Sequence, residues 1–160
     1  MHLFYLVFVV NLVSCLYMTG VIWLVQCVNY PLAKFISAED FTPYQNAHIK
    51  AITPVVAPFM IAELASSVAL LNLVPYDCTH CSLVNNLIIG FWVNVLIWVM
   101  TILFSVPLHQ KLKFGWNPEL HKKLIYSNWV RSLSWSGRAG LLIYLLLFML
   151  KIQAKISQWT

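Results

Sequence analysis

Asn128-Trp129-Val130-Arg131-Ser132-Leu133-Ser134-Trp135-Ser136-Gly137-Arg138 carries two arginines into an apolar run that continues to Ile152. On a helix Asn128, Arg131, Ser134, Trp135 and Arg138 share one face, and the residues between them are left for lipid or neighbouring helices. A charge inside an apolar run is costly unless it faces the interior of a bundle. That face is therefore a candidate site, and its arginines need a partner elsewhere in the chain.

Working outward, the 160 residues are 61% hydrophobic and only 9% charged, which excludes an ordinary soluble domain. Apolar runs cover about residues 3–28, 52–74, 83–107 and 129–152, each near or above the ~20 residues that cross a bilayer as a helix. The expected fold class is all-α: an integral membrane four-helix bundle, antiparallel and up-down, forming a single transmembrane domain over residues 1–160. The first run has no basic leader and no small-residue cleavage pattern behind it, so it is expected to remain as a span rather than leave as a signal peptide.

The net charge of +5 does not point to nucleic acid, because the basic residues flank apolar runs instead of forming a basic domain. Lys34 and Lys50 lie between the first two runs, and Lys111, Lys113, Lys122 and Lys123 between the last two, while residues 75–82 hold no Lys or Arg. By the positive-inside rule both basic connections face the cytoplasm of a bacterial inner membrane, and the termini lie outside. Lys151 and Lys155 pull the other way and are outweighed by the loop lysines.

The first span carries Asn11, Cys15, Thr19 and Gln26 as a polar stripe and ends in Asn29-Tyr30-Pro31, where proline interrupts the hydrogen-bond ladder. Trp23 and Tyr30 suit headgroup-level anchors. Ser37-Ala38-Glu39-Asp40 reads as a helix start, which places an interfacial helix between spans one and two, with Phe41, Tyr44, His48 and Ile52 on one face. Pro54 and Pro58 predict a kink or a late start for the second span, which then takes Glu63, Ser66 and Ser67 into apolar surroundings. Gly90, Asn94, Thr101, Ser105 and His109 form the stripe of the third span, small and hydroxyl residues of the kind that let helices pack closely in lipid.

With alternating helices, one end of the bundle gathers Gln26, Asn29, Tyr30, His48, Glu63, His109, Asn128, Trp129, Arg131 and Arg138. Glu63 and Arg138 stand at similar depths in their runs, so Glu63 is expected to pair with Arg138 or Arg131. Such a pair can simply lock two helices together. It can also serve chemistry, with Glu63, His48 or His109 as catalytic acid–base candidates. Gln26, Asn29, Tyr30, Asn128, Trp129, Arg131 and Arg138 would then bind a ligand, an arginine holding an enolate, phenolate or phosphate. His48, Glu63 and His109 are residue types that suit iron or zinc, and His48 with His109 could flank haem, yet no HxxxH or ExxH spacing supports either, so no metal ligand is assigned and the cofactor is left unknown. Cys78 and Cys81 form a CxxC that allows a local disulfide, a redox pair or part of a metal site.

The segments Trp23–Leu32, Pro107–Leu112 and Asn128–Arg138 resemble those of small bacterial four-helix membrane proteins, and more distantly the anthrone-oxygenase-like membrane proteins. The resemblance implies a four-helix fold and the oxidation or binding of a flat aromatic substrate. It supplies no catalytic set. Two expectations follow: an oxidoreductase or binding protein for a hydrophobic aromatic or quinone-like small molecule that enters from the lipid bilayer, or a structural or lipid-binding subunit of a homo-oligomer or larger membrane complex.

Overall fold

Apolar runs of this length satisfy their backbone polar groups within the segment when they coil, and all four do so in the computed structural model, which describes residues 2–74 and 81–157. The helices are α1 (His2–Leu24), α2 (Tyr30–Ala33), α3 (Ala38–Leu73), α4 (Cys81–Met100), α5 (Val106–Leu112) and α6 (Pro118–Ser157). A five-residue π-helical turn joins α1 to α2 at Val25–Asn29, and another joins α4 to α5 at Thr101–Ser105. The resulting spans, His2–Ala33, Ala38–Leu73, Ser82–Leu112 and Pro118–Lys151, are each long and apolar enough to cross a membrane. The first packs on the second, the second on the third, the third on the fourth and the fourth on the first, a four-helix bundle in up-down order.

Both π turns have the same local cause. Pro31 and Pro107 occupy the second position after each turn, lack a backbone N–H, and crowd the carbonyl four residues back. The ladder widens there, with Tyr30 N–H donating to Val25 O and Val106 N–H to Thr101 O. The two halves of the chain thus repeat one plan: a long helix, a π turn, a proline-led extension, a tight turn and a second long helix. In the later turn Gly115 takes φ +136°, a conformation that other residues rarely adopt.

Ser37 begins α3, its Oγ accepting from Asp40 N–H at 3.1 Å. The helix then runs unbroken through Pro43, Pro54 and Pro58 to Leu73, so the helix expected between the first two spans is continuous with the second span rather than a separate element. The physical reason is that no glycine interrupts this stretch and all three prolines are exposed, each removing one N–H from the outer side of the helix. Phe41, Tyr44, His48 and Ile52 do face the bundle.

Phe8, Met18, Met60, Leu70, Ile97, Trp135 and Leu145 fill the core, while Leu6, Ile61, Trp92 and Leu133 lie outward where lipid would meet them. Lipid tails are as apolar as leucine, so the hydrophobic effect does little to hold helices together here. Close packing and polar contacts between helices carry that role.

Candidate functional site

The buried polar residues separate into two layers about 10 Å apart along α6, the rise of the two turns between Arg131 and Arg138. The deeper layer is a sealed node. Arg138 Nη1 contacts Glu63 Oε1, and both side chains are 2% exposed. Arg138 Nε donates to Gly90 O at 2.9 Å, and its Nη2 to Asn11 Oδ1 at 3.0 Å and Ser67 Oγ at 2.6 Å. The other carboxylate oxygen of Glu63 accepts from Trp135 Nε1 at 3.0 Å. Asn11 Nδ2 closes the ring by donating to Glu63 O, Ser66 Oγ and Ser67 Oγ at 2.7–2.9 Å. All four spans contribute, and both charged groups are met by partners on several sides. Such a node can fasten helices, since no atom of Glu63 is left to meet a ligand.

The second layer surrounds a cavity of about 240 Å³. Its wall is mostly aliphatic, from Met18, Ile22 and Val25 on the first span and Ile49, Ile52 and Val56 on α3. Both π turns reach it, through Val25 on one side and Thr101 and Ser105 on the other, so the widened ladders and the cavity occupy the same level. Thr53, Val106 and Gln110 are exposed lining residues and form a rim between the second and third spans.

Three polar groups converge on this cavity. Arg131 is 7% exposed; its Nη1 donates to Ser105 Oγ at 3.1 Å and Asn128 Oδ1 at 3.2 Å, and its guanidinium lies 5.2 Å from the Trp135 ring. Among the described residues it has no carboxylate in ion-pair range, and its Nε has no hydrogen-bond partner. His109 faces Tyr30 Oη at 3.2 Å through Nε2 and Gln45 Nε2 at 2.9 Å through Nδ1. His48 stacks on His109 with ring centroids 5.9 Å apart.

The sequence candidates therefore divide. Tyr30, His48, His109 and Arg131 line the cavity, whereas Glu63 and Arg138 belong to the node. Gln26 and Asn128 are buried beside Arg131, where Asn128 Nδ2 donates to Gln26 Oε1 at 2.7 Å. Asn29 sits behind Tyr30, in a small crevice with Gln45 and His121. Trp129 turns outward, its ring edge-on to Trp23 at 5.5 Å and 39% exposed. Tyr30 is buried at 4% exposure, so it is a wall residue and not a headgroup-level anchor.

His48, Glu63 and His109 are not gathered around one point, and among the described residues no group of three His, Cys, Asp or Glu is placed to hold a metal ion. The His48 and His109 rings stack with 30° between their planes, so they do not present nitrogens to each other across a gap as opposite axial ligands of a haem would. The proposed pairing of Cys78 with Cys81 lies outside the described side chains. Sequence reasoning missed Gln45, which stands one turn beyond Phe41 on the inward face of α3, and missed Trp135 as a donor to Glu63. Comparison of the chain with protein-family models, curated proteins and solved structures gives no match.

Proposed function

We propose that this membrane protein takes a flat, lipid-soluble small molecule, aromatic or quinone-like, into the cavity between its second and third spans. The observation that carries the reading is Arg131: a buried guanidinium with an unpartnered Nε and no counter-ion among the described residues, facing a largely aliphatic cavity. A buried cation at such a place costs roughly 3 kcal/mol on insertion scales. An occupant with an anionic or strongly accepting oxygen would offset that cost. At ~30 Å³ per water the cavity equals about eight waters, room for a small ring system rather than a long chain. The rim between spans two and three gives such a molecule a lateral route from the bilayer.

The lysines of the two connections place this end in the cytoplasm of a bacterial inner membrane, by the positive-inside rule. Kinship with the anthrone-oxygenase-like proteins belongs to the same proposal, and with it an oxidoreductase role in which His109 and Tyr30 would handle protons beside the bound ring. A structural or lipid-binding subunit of a larger complex is the second reading, favoured by the node, whose partners are all internal.

Native mass spectrometry from mild detergent tests both. The first reading expects a small-molecule adduct on the wild-type chain that is lost in Arg131→Gln. Lipid adducts alone, equal in both proteins and carried by an oligomer, would favour the second.

A further inference from the structure

We infer that the cavity selects a ligand through a hydrogen-bond-accepting oxygen, a quinone carbonyl or an aromatic carboxylate, and that Gln45 sets this preference by fixing the position of the His109 proton. This rests on the reading that the cavity holds a flat lipid-soluble molecule, and it adds the polarity of that molecule's oxygen end.

The two ends of a glutamine amide are alike in shape, so its orientation is assigned from its neighbours. The end of Gln45 that lies 2.9 Å from His109 Nδ1 also lies 3.4 Å from the His109 carbonyl oxygen. A carbonyl can only accept, so that end of the amide is its NH2 group, and Nδ1 accepts from it as well. In the neutral imidazole the proton then sits on Nε2. Nε2 faces Tyr30 Oη at 3.2 Å, so His109 donates and Tyr30 accepts. The Tyr30 hydroxyl keeps its own hydrogen for another acceptor, and Tyr30 lines the cavity.

Arg131, on the same cavity wall, can only donate. Two donors, one of them cationic, thus serve the cavity. Thr101 gives its hydrogen to Ile97 O at 2.8 Å and offers lone pairs, but these are neutral and do not balance a guanidinium. A phenol or alcohol would set its own O–H among donors, whereas a carbonyl or carboxylate oxygen receives both. Gln45 and His109 act through Tyr30 and are positioning residues.

The test uses the full chain in lipid nanodiscs and three probes with one ring body, a naphthoquinone, a naphthoate and a naphthol, with binding read by tryptophan fluorescence quenching. The naphthoquinone and naphthoate are expected to bind at least about fivefold more tightly than the naphthol, the size of one neutral hydrogen bond. A further preference for naphthoate that disappears in Arg131→Gln identifies the natural acceptor as an anion, and equal binding of the two identifies a neutral carbonyl. Nitrogen-15 spectra of histidine-labelled protein are expected to place the His109 proton on Nε2, and to move it to Nδ1 in Gln45→Glu, where the margin over naphthol collapses. Naphthol binding as tightly as the other two in the wild type, or a wild-type proton on Nδ1, overturns the inference while leaving the cavity a ligand site. Failure of all three probes to bind overturns the cavity reading itself.

Discussion

Glu63 and Arg138 are the residues whose loss the fold should feel most. Removing either partner of a buried pair leaves an uncompensated charge at a cost of about 3–5 kcal/mol. Glu63→Gln and Arg138→Gln are each expected to lower the midpoint of denaturant unfolding sharply, while the double variant recovers part of the loss. Additive losses in the double variant would show that the two do not depend on each other. Trp135→Phe keeps the ring volume and removes only the 3.0 Å bond to Glu63, so its expected cost is smaller, about 1.5–3 kcal/mol for a bond to a charged group. The matching depths of Glu63 and Arg138 are distances along the chain, so they are legible in sequence. The Gly90 carbonyl, Asn11 and the Trp135 indole become partners through the rotation of four helices about their axes, which periodicity only brackets.

At the scale of the element, the π turns explain why a cavity exists where it does. A regular α ladder through residues 25–29 and 101–105 would shift the register of everything that follows, moving Tyr30 and His109 away from each other. Pro107→Ala restores the missing N–H and is expected to favour that regular ladder. The variant should remain folded and weaken naphthoate binding about tenfold, the equivalent of ~1.4 kcal/mol, in the same nanodisc assay. Unchanged affinity would mean that the cavity does not depend on the turn. Ser37→Ala addresses the other end of the helix pair. It removes the N-cap of α3 and should cost about 1 kcal/mol without touching the cavity. Proline at 31 and 107 is visible in the sequence as a break, but whether the helix ends, kinks or widens there depends on what packs around it. The same uncertainty governs Pro54 and Pro58, which predict an interruption in α3 and are instead absorbed on its exposed side.

For the whole molecule, the four spans and their up-down order follow from length and hydropathy alone, because in a bilayer nothing else satisfies the backbone of such runs. The separation of the inward polar residues into a sealed node and an open cavity does not follow, since both sets share the same stripes and differ only in what meets them across the bundle. Phosphatase fusions address the orientation: one after Phe114 is expected to be inactive in the cytoplasm and one at Thr160 active outside, and the reverse pattern would invert the topology. The central claim is that Arg131 faces a ligand cavity while Arg138 is structural. It is tested most directly by photolabelling the protein in bilayers with an azide-bearing naphthoate and mapping the modified peptides. The account predicts label concentrated on Ile52, Val56 and Val106, removed by excess unlabelled naphthoate and absent in Arg131→Gln. Label spread over lipid-facing residues such as Leu6 and Trp92, indifferent to competitor and to Arg131, would contradict it.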